Sequence, residues 1–242
     1  GCWSLAQPGS SRLQHYSRRP CWEELQAESF RSEEWDWSLV GTRLIKRPSP
    51  RRFLREALAG NAIVSVYDKT GLDRLAHSFG KHKVSIIGSG GSADALKKLG
   101  ADVTDVSSYT GFAEMPGGLV KTLHPRIHAG ILGDWEDPVQ RNYLEANSVR
   151  PFDFVVVNLY PFSEVVKSDP SNLRSAVDNI DIGGVALIRA AAKGALLNKR
   201  VVPVTSPLRY DDVVRELDKS GRVGEALRLK MAKEAFALTS EY

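Results

Sequence analysis

From residue 61 onward the chain alternates short apolar runs with longer stretches in which apolar residues recur every three or four positions. The runs at 62–66 (AIVSV), 84–87 (VSII), 154–159 (FVVVNL) and 201–204 (VVPV) have strand length and are rich in β-branched residues, and 103–106 is a weaker one. Helical spacing occupies 72–79, 93–99, 173–179, 185–193, 210–219 and 225–238, with Gly100 placed to end the second of these. Strands separated by helices predict an α/β fold, with a doubly wound, mainly parallel sheet flanked by helices. The unbroken apolar run at 154–159 suits a strand buried on both faces of such a sheet. Ligands of these sheets bind where strand C-termini meet helix N-termini.

Residues 1–60 have a different texture. Four of the five tryptophans (Trp3, Trp22, Trp35, Trp37) lie there, with acidic residues between Glu23 and Asp36. A basic stretch containing Lys46, Arg47, Arg51, Arg52 and Arg55 follows, broken by Pro48 and Pro50. No clear period organises the first forty positions, although 50–58 fits a short helix ended by Gly60. The expectation is a poorly ordered N-terminal extension or leader over 1–60 and a functional domain over 61–242. The first twenty residues contain Ser and Arg and no acid, as organelle transit peptides do, but the acidic stretch argues against a long one. The expected compartment is therefore the cytoplasm, with an organelle as the alternative if 1–60 holds a transit peptide. A chain that begins with Gly1 and reaches its first methionine at Met115 is expected to be a fragment or a processed form.

Composition narrows the function classes. A net charge of +4 suits an anionic substrate and lacks the concentrated charge of a nucleic-acid binder. No apolar run approaches the length of a membrane span. Both cysteines, Cys2 and Cys21, precede the domain, which excludes a disulfide framework or thiolate metal site within 61–242.

Five segments carry candidate chemistry. Ser89-Gly90-Gly91-Ser92 joins a strand to a helix, where glycines let backbone N–H groups approach an anion and the helix dipole favours it. The segment 65–71 (SVYDKTG) also follows a strand, so Lys69 can reach the same face, or Asp68 can simply cap the next helix. In 118–125 (GLVKTLHP) a lysine, a threonine and a histidine sit close together, and His128 stands four residues beyond His124. No Glu lies between the two histidines and no third ligand is evident, so no metal is expected. Asn158, Tyr160 and Pro161 close the apolar strand. Finally, Asp181 precedes Gly183-Gly184 and can cap a helix that carries Lys193 toward its C-terminal end.

In order, SVYDKTG, SGGS, TGFAEMPGG from Thr110, VKTLHPRIHAGIL, VVVNLYPF, NIDIGG and RAAAK resemble the IMP cyclohydrolase domain of the bifunctional purine synthesis family, a methylglyoxal-synthase-like domain. The resemblance runs from Ile63 to Tyr242. In that family the domain precedes a formyltransferase, which is absent from this sequence. The resemblance implies ring closure of 5-formamidoimidazole-4-carboxamide ribotide to IMP with loss of water, the last step of de novo purine synthesis. It implies no cofactor, a purine ribotide as substrate, no nucleic-acid or membrane partner, and a homodimer held largely through the absent half. By the same resemblance Lys121, Tyr160, Asp181 and Lys193 take the catalytic positions, with Asp181 paired to Lys193. Ser65, Lys69, Ser89, Gly90, Gly91, Ser92 and Thr122 hold the phosphate, while Asn158, Ile182 and Gly183 line the base.

Three positions depart from the family pattern. Leu119 stands where the family has Arg, Tyr67 replaces a serine, and Gly194 replaces the asparagine after the AAAK lysine. Loss of a hydrogen bond to a charged group costs about 1.5–3 kcal/mol, so activity with weakened substrate affinity is expected. The alternatives are methylglyoxal synthase, an allosteric nucleotide-binding module, or a decayed copy that binds without turnover. The first two need phosphate loops but not the lysines, tyrosine and aspartate together.

Overall fold

A computed structural model of the protein describes residues 35–40, 43–48, 60–115 and 119–242. The chain divides into two units, Gly1–Ser49 and Pro50–Tyr242. In the first, β1 (Trp35–Val40) pairs antiparallel with β2 (Arg43–Pro48), in a register that sets Trp35 opposite Pro48 and Val40 opposite Arg43. Trp35, Trp37 and Leu39 alternate with Asp36 and Ser38, a period-two signal in a stretch expected to lack strands. The short helix expected at 50–58 lies outside the described residues.

The second unit is built on five parallel strands, β3 (Asn61–Val66), β4 (Ser85–Gly88), β5 (Val103–Asp105), β6 (Phe154–Asn158) and β7 (Val202–Val204), in the order β5-β4-β3-β6-β7. This is the doubly wound parallel sheet expected from the sequence. The chain moves outward from β3 to β5, then returns to lay β6 on the other side of β3. The switch point therefore falls between β3 and β6, where Val66 is in register with Asn158.

The connecting helices are α1 (Leu72–Lys81), α2 (Gly90–Lys98), α3 (Val106–Thr110), α4 (Pro125–Leu132), α5 (Pro138–Ala146), α6 (Phe162–Ser168), α7 (Leu173–Asp178), α8 (Gly183–Leu197), α9 (Tyr210–Ser220) and α10 (Glu225–Glu241). Four of them, α3 to α6, have no counterpart in the helical spacing of the sequence. Pro125 and Pro138 each occupy a first turn, where a missing N–H costs nothing, and His124 and Asp137 cap them.

Side chains alternate between two cores, one on each face of the sheet. Ala62, Val64, Phe154 and Val156 pack against Leu75 and Phe79 of α1 and Val213 of α9. Ile63, Val155 and Val157 pack against Ile127 and Ile131 of α4 and Leu187 and Ile188 of α8. Gly194 is fixed by this second layer, because a Cβ there would lie 2.6 Å from the Ile131 carbonyl oxygen. The departure from the family at this position is thus a close contact between α8 and α4. Leu187 is wholly buried, and Leu187→Ala is expected to lower unfolding free energy by about 2–5 kcal/mol in urea titrations. A loss under about 1 kcal/mol would contradict this account of the α8 face.

Candidate functional site

Every sequence-derived candidate except Lys193 lies on the strand ends, loops and helix ends at the carboxyl edge of the sheet. Asn158 ends β6 at the switch point. Its side-chain oxygen accepts the N–H groups of Tyr67 (2.7 Å) and Asp68 (2.9 Å), and its amide nitrogen donates to the Asp68 carbonyl (2.8 Å). The amide thus clamps the loop after β3. The Thr70 hydroxyl and N–H, the latter donating to the Asp68 carboxylate at 2.9 Å, hold that carboxyl below the usual range and close the turn into α1. Lys69 folds back to donate to the Tyr67 carbonyl (3.1 Å).

The SGGS segment opens α2, with Ser89 at its N-cap. Ser92 is buried, and its hydroxyl both accepts from Val66 N–H (2.8 Å) and donates to the Val66 carbonyl (3.0 Å). It ties α2 to the end of β3, and its single O–H is already donated and not free for a phosphate, which corrects the phosphate role expected of its side chain. Ser89 donates to the Ser65 hydroxyl (3.1 Å). Gly90 has φ +46°, and a Cβ on it would lie 2.5 Å from Lys121 Nζ. Around Gly91 nothing approaches within 4 Å of that position. The N–H groups of Gly90 and Gly91 have no intrahelical acceptor. Free donors, a positive helix end and the Lys121 ammonium therefore share one place, a combination suited to an oxyanion. Glu114, 3.2 Å from Lys121 Nζ, balances that cation.

The 119–124 segment is steadied from below. His128 donates a ring N–H to the Thr122 carbonyl while its Nε2 is buried without a partner, and burial pushes its pKa down. Buried Thr122 presses on the start of α8, its Oγ1 only 3.0 Å from a Cβ on Gly183. Leu119, Phe112 and Met115 are exposed and rim a cavity of about 330 Å³ beside Lys121. Leu119 thus presents an apolar edge where the family has a guanidinium. Among the described residues, no group of three His, Cys, Asp or Glu could hold a metal.

Asp181 accepts Gly184 N–H (2.6 Å) and a backbone N–H from Tyr160, joining α8 to the loop after β6. Burial raises its pKa above the ordinary 3.8 and outweighs these two hydrogen bonds. Gly184 is the glycine this geometry requires, since a Cβ would meet Asp181 Oδ2 at 2.6 Å and Leu159 at 2.8 Å. Ile182 is exposed beside it. The Tyr160 ring meets the Tyr67 ring edge-on at 5.4 Å, so the bulky Tyr67 packs on Tyr160.

Lys193 is not brought to this group. Ten residues of α8 separate it from Gly183, about 15 Å of rise. No ion pair joins it to Asp181, and the pairing implied by the resemblance is not made within one chain. The sequence reading also missed Tyr242. Its hydroxyl accepts from Asp181 N–H (2.8 Å) and donates to the Asn179 carbonyl (2.8 Å), bracing the Asp181 loop from both sides. Sixty-one residues separate Tyr242 from Asp181, and no local signal links them.

The fold is that of an MGS-like α/β domain, and the MGS-like domain model matches residues 71–186. Within that class the chain corresponds to the MGS-like domain of the bifunctional purine biosynthesis proteins PurH. It is 45% identical over 186 residues to PurH of Synechocystis sp., covering 76% of this chain and 36% of that protein. To PurH of Corynebacterium glutamicum it is 46% identical over 181 residues, covering 75% and 34%. The chain therefore spans about a third of the length of these relatives. Among solved structures it matches the crystal structure of ForH with TM-score 0.65 and 28% identity, over 76% of this chain and 94% of that one.

The Asp181 carboxyl is expected to titrate above 3.8 when followed by carboxyl carbon NMR. Because the folded value is the higher one, its contribution to stability is full below pH 3.8 and is lost as pH rises through the folded pKa. A midpoint at or below 3.8 would contradict the burial that defines this part of the site.

Proposed function

We propose that this domain catalyses the closure of 5-formamidoimidazole-4-carboxamide ribotide to IMP, as the cyclohydrolase part of a bifunctional purine enzyme. The observation that carries the reading is a closed circuit of contacts around the switch-point crevice. It runs from Ser65 to Ser89, from Gly90 to Lys121, from Thr122 to Gly183, from Gly184 to Asp181, from Asp181 to Tyr160, and from Tyr160 to Tyr67. The circuit supports a reading in which an anion cradle works beside Lys121, Tyr160 and Asp181, in a chain similar to purine biosynthesis enzymes.

In this reading the ribotide phosphate rests on the Gly90 and Gly91 N–H groups, with the Ser89 and Ser65 hydroxyls beside it. Lys121 exchanges Glu114 for the substrate and orients its carboxamide. The carboxamide nitrogen attacks the formyl carbon, forming the N–C bond, and the formyl oxygen becomes the hydroxyl of a tetrahedral intermediate. That oxygen then leaves as water, carrying one hydrogen from the carboxamide nitrogen and one from the formamide nitrogen. No electrons are gained or lost. Tyr160 donates to the developing oxyanion, and Asp181, whose carboxyl burial holds above its ordinary 3.8, accepts and returns protons.

The test is a spectrophotometric cyclisation assay on the full chain, in which IMP is expected to form. Gly91→Ala should fold as the parent does, since its Cβ meets nothing, yet raise KM at least about tenfold by filling the anion approach. Tyr242→Phe keeps the ring, removes both hydroxyl bonds, and is expected to lower kcat about tenfold. No IMP from saturating ribotide would overturn the reading, and IMP binding without turnover would mark a copy that only binds nucleotide.

A further inference from the structure

The opposite edge of the sheet, where β3, β6 and β7 begin, holds a second basic cavity of about 520 Å³ between the start of α10 and residues 199–202. Arg228 lines it with only 5% of its surface exposed. Among the described residues its Nε has no partner, and its only ion pair there is a long 3.4 Å contact to Glu225, which is largely exposed. A buried guanidinium left so nearly unpaired is costly unless an anion meets it. The neighbouring cations do not repair this. Arg200 is held by Asp153 (2.7 Å) and His82 by Asp218 (2.8 Å). Lys199 and Arg222 also line the cavity, and neither makes an ion pair among the described residues.

The seventeen-residue helix α10 points its N-terminus at the same space. Its N-cap is Gly224, no side chain caps it, and the Gly224 N–H is taken by Glu216. The next N–H groups have no intrahelical acceptor, and the helix dipole adds positive potential there. Phe154 and Val202 form an apolar wall. We propose that this cavity is a second anion site, which takes a phosphoryl group on the Arg228 guanidinium, Arg222, Lys199 and the α10 N-terminus. It is separate from the crevice at the strand C-termini and does not depend on the cyclohydrolase reading.

The test follows the Arg228 Nε–H signal by 15N NMR in the full chain, assigned by its loss in Arg228→Lys, during titration with inorganic phosphate. Ribose 5-phosphate is titrated in parallel, and the tighter ligand distinguishes a free from an esterified phosphate. The signal is expected to move saturably. Lys199→Glu and Arg222→Glu, both exposed and expected to fold as judged by circular dichroism, should each weaken the effect at least about tenfold. The proposal is overturned if the signal stays fixed in a large excess of both ligands, or if it moves equally in parent and variants.

Discussion

The side-chain amide of Asn158 stands where β6 ends beside β3, and its three hydrogen bonds to Tyr67 and Asp68 hold the loop after β3 in place. A parallel sheet that reverses its winding leaves a crevice at the reversal, but the crevice does not order the loops above it. Here the terminal residue of β6 does so, by using both ends of its amide on backbone groups that would otherwise need water. Once that loop is held, Tyr67 can meet Tyr160, and Ser65 faces Ser89.

The electrostatics of the site follow from two departures from neutrality. An ammonium stands at the positive end of a helix, where it is unfavourable in isolation, and Glu114 offsets it. A carboxyl is buried against two backbone donors that only partly replace water. One arrangement favours an incoming anion and the other favours a proton. A ribotide that carries a phosphate and must exchange protons during ring closure satisfies both. Tyr242 holds the second arrangement in place from a distant helix, at a cost of two hydrogen bonds if its hydroxyl is lost.

Much of this was legible in the sequence, for identifiable reasons. The strand 154–158 is apolar and β-branched enough to admit one reading, and glycine runs at strand ends mark loops that need free backbone donors. Helix α4 was hidden because Pro125 reads as a breaker, although proline is at home in a first turn. Helix α5 buries only Leu144, so its sequence carries no apolar stripe. The commitment of the Ser92 hydroxyl to Val66, and of the Tyr242 hydroxyl to the Asp181 loop, depend on tertiary neighbours that no spacing reveals. Lys193 is the opposite case. A continuous helix from Gly183 already places it almost three turns away.

The central claim is that the crevice between β3 and β6 is the ribotide site, cradled by α2 and the Asp181 loop. Its most direct test is the set of backbone amide shifts on addition of IMP to the full chain. The account predicts that the largest changes fall on Gly90, Gly91, Lys121, Tyr160 and Gly184, with those of Gly90 and Gly91 reproduced by inorganic phosphate. Shifts confined to the opposite edge of the sheet, or none at saturating IMP, would contradict it.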